Sequence, residues 1–458
     1  MLRFTKEDLD PFFSPKSVVL VGASRNTFTF SGMILKNLLE LRYEGTIHVV
    51  NPNAEEVHGL PSSPTVSALP EVPDLAIIVT RHDLLACFEA LGRFGVRRVM
   101  IEVDLPAEVL DQLLPRLRKV VERYQMIVFG PSMIGVINYH ARFSSSIIPT
   151  RIHIIEKNRG ARKTPGLSFI AQSGGLAGGL GWWSPSQSLP ISKVVHLGGS
   201  CDAAEHDVLR YLFEDPDTHV ISLFLKDVTP ELVEVVRLYR GVKPVLFKTV
   251  ACSRDPPRKA NAEALERAGA IRVRDYIELF EFGKLFLWSP LPRGNRLGVI
   301  GPSSGAISLV TEAMEENDLR LAETAAPKET SVSGGEPATP AVENPVDFWP
   351  PTEFVGTKVC KVYHAASRAL LAHEEVDGLI LALEFFSEIE FDFAVFSSIQ
   401  REFPDKPIVA VLIHAERDGA KRIVKCSTHL KIPVFEDEVE RAVRGYKALL
   451  DFSRLQGA

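Results

Sequence analysis

SVVLVGASRNTFTFSGMILKNLL, residues 17–39, changes its period once. Val18 to Val21 form an apolar run rich in β-branched residues that closes on Gly22, the pattern of a buried parallel strand. From Gly32 the spacing is helical, with Met33, Ile34, Asn37 and Leu38 recurring at three and four. Gly22-Ala23-Ser24 between them is a tight turn of small side chains. Strand, small-residue turn and helix make the first half of a Rossmann-type unit, whose backbone N–H groups bind phosphate oxygens. Arg25 stands where it adds charge to that contact. The dinucleotide fingerprint G-x-G-x-x-G is absent, because the next glycine after Gly22 is Gly32. The spacing therefore points to a phosphate-bearing ligand without specifying a dinucleotide, and a ligand-free βαβ turn has the same pattern. Ile47 to Val50 is the next strand and ends in Asn51-Pro52-Asn53. Ligands of open α/β sheets sit beyond the carboxyl ends of strands. Gly22–Arg25 and Asn51–Asn53 thus face one crevice, and Thr80, at the end of the strand Asp74 to Val79, lies near it.

Working outward, the 458 residues are enough for about three domains. A hydrophobic fraction of 45% and a charged fraction of 24% describe a globular chain. The net charge of −6 gives no nucleic-acid signal. No apolar run reaches the roughly 20 residues of a membrane helix, and the N-terminus MLRFTKEDLDPFFSP has no signal-peptide core. Five scattered cysteines without a C-x-x-C pair fit reduced cytoplasmic thiols and no metal site.

Strands and helices alternate along the whole chain, which predicts an α/β fold of three doubly wound domains, at 10–145, 166–290 and 295–458. Two further strand-to-helix turns carry small residues. Leu167 to Ala171 runs into Gln172-Ser173-Gly174-Gly175, where Ser173 can cap the helix and the N–H groups of Gly174 and Gly175 can face an anion. Arg296 to Ile300 runs into Gly301-Pro302-Ser303-Ser304-Gly305, a third such start. Plain turns would look much the same. Glu384 ends the strand GLILALE, at an edge where chemistry is usually found.

GASR, a helix ending in KNLL, VNPN and PSSPTVSALPEVPDLAIIV together resemble the CoA-binding domain of the NDP-forming acyl-CoA synthetases, relatives of the succinyl-CoA synthetase α subunit. The resemblance continues through QSGG, DVLRYLFEDPDTHVISLFL, EALERAG and NPVD, in the domain order of α subunits of ADP-forming acetyl-CoA synthetases. It implies a Rossmann-like CoA-binding domain followed by two flavodoxin-like domains. It also implies coenzyme A at Gly22, Ala23, Ser24, Arg25, Gly32, Asn51, Pro52, Asn53 and Thr80, and an acyl group or anion at Ser173, Gly174, Gly175, Ser303, Ser304 and Gly305. A carboxylic acid and an acyl-CoA are the implied substrates. An ATP-grasp β-type subunit is the implied partner, which would bring any nucleotide and Mg²⁺ in a hetero-oligomer.

Three departures stand against that background. IEVDLPAE, residues 101–108, places Asp104 where the family has a glycine loop. The phrase DVLRYLFEDPDTHVISLFL is followed by Lys226 where the family strand ends in the glutamate that orients its catalytic histidine. The histidine loop itself is cut out: TVACSRDPPRKANAEALERAG, residues 249–269, takes its place, and no histidine lies between His219 and His364. A phosphohistidine intermediate needs an imidazole and an acid to orient it. Three readings follow. The first is a CoA transferase without phosphohistidine, using a carboxylate nucleophile for which Glu384 and Asp104 are the candidates. The second is an acyl-CoA synthetase whose phosphoryl carrier is on a partner. The third is a non-catalytic CoA-sensing subunit.

Overall fold

The computed structural model describes residues 3–151, 165–187, 189–250, 256–324, 342–347, 358–384 and 391–457. They fall into two compact units, Met1–Leu279 and Phe280–Ala458. Residues 152–164, residues 251–255 within the replaced loop, and residues 325–341 lie outside the described residues.

The first unit holds two sheets. In the first, β1 (Ser17–Val21), β2 (Thr46–Val50), β3 (Glu56–Val57), β4 (Leu60–Ser63), β5 (Leu75–Ile78), β6 (Arg98–Ile101) and β7 (Ile127–Phe129) take the order β3-β4-β2-β1-β5-β6-β7. Val18 to Leu20 and Leu75 to Ile78 are fully buried, because helices cover both faces of the parallel core. Those helices include α2 (Phe30–Glu40), α3 (Leu84–Phe94) and α4 (Ala107–Tyr124). The chain steps from β1 to β2 on one side and then to β5 on the other. The point where strand order reverses is therefore between β1 and β5, where such sheets open a crevice.

A helix not anticipated from sequence, α1 (Lys6–Phe13), precedes β1. Thr5 and Asp8 form a reciprocal capping box at its start. Pro11 disguises the helical pattern, yet Leu9, Phe12 and Phe13 are fully buried. Phe12 stacks on Phe129 with ring centroids 3.9 Å apart, and Phe13 on Tyr211 at 4.3 Å.

The second sheet contains β8 (Gly135–Asn138), β9 (Phe143–Ser144), β10 (Gly166–Ala171), β11 (Ile191–His196), β12 (Thr218–Leu225), β13 (Val245–Thr249) and β14 (Ile271–Arg272), ordered β14-β13-β12-β10-β11-β8-β9. Here the structure departs from the expected first-domain limit of 145. Residues 135–138 follow β7 closely in sequence but pair antiparallel onto β11, with His196 opposite Gly135 and Val195 opposite Val136, and β9 pairs onto β8. The helix α5 (Gly174–Ser186) follows β10 and packs through glycines. A Cβ at Gly174 would stand 2.3 Å from Ile134 Cγ1, and one at Gly178 2.6 Å from Ile148 Cγ1. Helix α6 (Glu205–Glu214) leads to a buried ion pair, Lys193 Nζ to Asp215 Oδ2 at 2.6 Å, at the amino ends of β11 and β12.

The second unit has β15 (Arg296–Gly301), β16 (Arg320–Leu321), β17 (Val346–Asp347), β18 (Gly378–Glu384), β19 (Ile408–Ile413) and β20 (Val434–Glu436), ordered β16-β15-β18-β19-β20 with β17 beside β15. The motif NPVD acts structurally: Asn344 accepts the N–H of Val299 at 3.0 Å and donates to the carbonyls of Leu297 and Ala322. The three sheets are parallel except for β3 and for β8 and β9.

Candidate functional site

The first turn sits at the β1–β5 reversal. Gly22 has φ +91°, donates to the carbonyl of Val50, and faces Thr80 so closely that a Cβ would lie 2.8 Å from Thr80 Cβ. Only glycine meets both demands. Asn51 Nδ2 donates to the carbonyl of Ala23 at 2.7 Å while its Oδ1 accepts from Asn53 N–H, so the two strand ends are tied together. Pro52 and Asn53 are exposed beside them. Ser24 Oγ accepts from Asn26 N–H, and the exposed Arg25 donates Nε–H to the carbonyl of Glu56. Gly32 has a different task from the one expected. Its N–H is taken by the Thr29 hydroxyl that caps α2, and its missing side chain admits the Asn26 carbonyl, 2.0 Å from where a Cβ would be.

Gly22→Ala is expected to cost about 1–3 kcal/mol, since it forces a non-glycine residue to positive φ and into Thr80. Denaturant unfolding measures that cost. Titration calorimetry with CoA is expected to show weakened binding in the same variant.

The second turn faces the end of the other sheet. Gln172 fixes it: its N–H donates to Phe224, and its Oε1 accepts the N–H groups of Lys226 and Asp227 at 2.8 and 2.9 Å. Ser173 is the N-cap residue of α5 by backbone conformation, but its hydroxyl makes no capping bond, contrary to the sequence expectation. Ahead of Gly175 there is open space, with nothing within 4 Å of a Cβ. The first amides of α5, with the positive end of the helix dipole, can therefore receive an anion.

Sequence reasoning missed His196, at the end of β11. Its Cε1 lies 3.3 Å from the Cβ position of Gly174. Its Nδ1 accepts the Ile134 N–H at 3.0 Å, which leaves the ring proton of the neutral form on Nε2. Burial first, and then the charge of Lys226, push its pKa down to about 4. A histidine ending a buried strand beside a small-residue turn is the signal that could have found it. Lys226 makes no ion pair among the described residues. His196, Lys226 and the Gln172–Gly175 turn thus lie together at the ends of neighbouring strands, bringing a positive charge beside a neutral imidazole.

The third turn, in the second unit, follows the same plan. Ser303 caps its helix by accepting Ala306 N–H at 3.3 Å, Ser304 opens that helix, and Gly305 faces open space. Glu384 ends β18 half-buried in that unit, and Asp104 is exposed in the loop after β6 in the first. None of the described cysteines is in a disulfide, and burial pushes the Cys201 thiol up to about 12, which keeps it protonated. No group of His, Cys, Asp or Glu among the described residues is placed to hold a metal ion, and no described helix is long and apolar enough to cross a membrane.

Comparison with known proteins gives the class of each domain. Residues 16–139 match the family model of a CoA binding domain, and residues 164–286 that of a succinyl-CoA ligase-like flavodoxin domain. Across a longer span the chain is similar to acetate–CoA ligase [ADP-forming] II of Archaeoglobus fulgidus, 27% identical over 85% of this chain and 59% of that protein. It is also similar to the α subunit of acetate–CoA ligase [ADP-forming] I of Pyrococcus furiosus, 26% identical over 97% of this chain and 98% of that subunit. The fold is that of the dinucleotide-forming acetyl-coenzyme A synthetase 1 of Ca. Korarchaeum cryptofilum, solved with phosphate and ADP, with a TM-score of 0.82 at 23% identity and 98% coverage of both chains.

The chain thus carries a CoA-binding-type domain followed by a succinyl-CoA ligase-like flavodoxin domain, and along its length it is similar to α subunits of ADP-forming acetate–CoA ligases. Its relatives are named as ligases, which fits the ligase alternative better than nucleotide-free CoA transfer.

Proposed function

We propose that this chain is the half of an ADP-forming acyl-CoA ligase that handles CoA and acyl phosphate, with the nucleotide site and the phosphoryl carrier on a partner chain. The observation that carries this reading is the chemistry around α5. The nearby imidazole has Nδ1 occupied and its proton on Nε2, so it has no free nitrogen lone pair to accept a phosphoryl group. The strand end beside it presents Lys226 in place of an acid. Such a site binds and polarises an anion without being phosphorylated itself.

In this reading the turn Gly22–Arg25, with Asn51 and Thr80 beside it, holds the phosphates of CoA. The amides of Gly174 and Gly175 receive the phosphate of an acyl phosphate. His196 Nε2–H and Lys226 stabilise charge developing on the acyl and phosphate oxygens, the neutral imidazole serving as a hydrogen-bond donor. An ATP-grasp β-type chain would hold ATP and Mg²⁺. The Pyrococcus relative, named as an α subunit, supports the existence of such a second chain.

The test is incubation of the full chain and its co-purifying partner with CoA and a panel of carboxylic acids, with and without ATP and Mg²⁺. Mass spectrometry reads the CoA esters. New thioesters only with ATP are the expected result. Transfer from acetyl-CoA without nucleotide would establish a CoA transferase instead, and CoA binding without any product a sensing subunit.

A further inference from the structure

The helix α2 starts directly behind the first turn, where the Thr29 hydroxyl caps it and the Asn26 carbonyl rests against Gly32. About two helical turns further along, Asn37 is 1% exposed. Its Nδ2 donates to the carbonyls of Ser146 and Ile148, both at 2.8 Å, and its Oδ1 accepts Thr150 N–H at 2.9 Å. These partners lie on one strap, residues 144–151. Hydroxyls stiffen it: Ser144 Oγ and Thr150 Oγ1 are 2.8 Å apart, and Ser146 Oγ accepts Ile148 N–H at 3.1 Å.

The same strap holds the second turn. Arg151 N–H donates to the carbonyl of Gly181 on α5 at 2.8 Å, and a Cβ at Gly181 would stand 3.0 Å from the Pro149 carbonyl oxygen. Ile147 N–H donates to Ile134 at 3.1 Å, and Ile134 N–H in turn donates to His196 Nδ1 at 3.0 Å. Hydrogen bonds and glycine contacts thus run without a gap from α2 to α5 and to the imidazole. An apolar residue would fill the space of Asn37, but a fully satisfied buried amide fixes one register of strap on helix.

We propose that Asn37 is a positioning residue for thioester formation, setting through residues 144–151 where the first turn stands relative to α5 and His196. This rests on the ligase reading above. In that step the CoA sulfur bonds the acyl carbon, the C–O bond to phosphate breaks, and the thiol proton passes to the released inorganic phosphate. Attack needs the reacting atoms about 3–3.5 Å apart, and about 1 Å of misplacement costs about 10²-fold in rate. Asn37 touches neither reactant; it keeps the two elements that hold them on one rigid mount.

The test uses the full chain with its co-purifying partner, ATP, Mg²⁺ and the acid that gives most thioester in the experiment above. Two rates are read: acyl phosphate trapped by hydroxylamine without CoA, and acyl-CoA formed with it. Asn37→Ala is expected to leave acyl phosphate formation and the KM for CoA within about 3-fold, while kcat for acyl-CoA falls by about 10- to 100-fold. Gly181→Ala presses on the strap from the α5 side without stranding a polar group, and is expected to show the same split, smaller. A folded Asn37→Ala chain that loses both rates together would overturn the proposal, since that is the mark of a residue that only holds the fold. So would Gly181→Ala with an unaltered kcat for acyl-CoA, even if Asn37→Ala fails to fold. An unaltered complex that forms neither acyl phosphate nor thioester would overturn the ligase reading, and the proposal with it.

Discussion

Lys226→Glu is expected to raise the dissociation constant for inorganic phosphate by about 10- to 100-fold, read by calorimetry at low salt. Two unit charges about 5 Å apart interact by roughly 3 kcal/mol at an effective dielectric of 20, and by less where water reaches them. Lys226 is exposed, so the lower part of that range applies. Reversing its sign both removes an attraction and adds a repulsion. The effect is expected to shrink as salt screens it. A second readout is independent of ligand: the charge of Lys226 depresses His196, so the variant's His196 is expected to titrate at higher pH in NMR. Unchanged phosphate affinity together with an unmoved His196 would remove Lys226 from the site.

The largest stability effect is expected at the other end of the same strands. Lys193 and Asp215 are 1% and 5% exposed, and Asp215 also takes a hydrogen bond from Thr218 Oγ1. Asp215→Ala leaves the buried ammonium with only the longer carboxylate contact, to Asp217 Oδ2 at 3.9 Å, and is expected to cost about 3 kcal/mol in denaturant unfolding. Domain stabilities are about 5–15 kcal/mol, so this one change removes a large share. Replacing both residues, as Lys193→Met with Asp215→Leu, is expected to be far less costly, because no charge is then stranded. A double variant as unstable as the single one would show that the pair matters through shape and not charge.

Most of the sheet architecture was legible because parallel strands covered on both faces are written as uninterrupted apolar runs. SVVLV, LAII, GLILALE and IVAVLI each fell where such a run predicts a strand. What escaped were elements whose burial depends on distant partners. Helix α1 hides behind Pro11, and its aromatic residues find Phe129 and Tyr211 only in the fold. Strands β8 and β9 are short and follow β7 closely, and the pairing of β8 with β11 is a long-range event that local pattern does not carry.

The turn conformation was legible where it constrains residue type, as at Gly22 with its φ of +91°. It was misread where a side chain's role depends on what it touches. Gly32 packs and Ser173 leaves its hydroxyl unused for capping. Glu102 and Asp104, two positions apart on one loop, point to opposite fates, one buried and one exposed. Lys226 stood out in sequence as a lost acid. Its neighbour His196 emerged only when β11 was laid beside α5.

The measurement that bears most directly on the account is the location of the phosphoryl group. The full chain and its co-purifying partner, incubated with γ-labelled ATP and Mg²⁺ and separated under alkaline conditions that preserve phosphohistidine, are expected to carry label on the partner alone. Acid-labile label on this chain, mapped to His196 or any other of its residues, would contradict the assignment of the carrier to the partner.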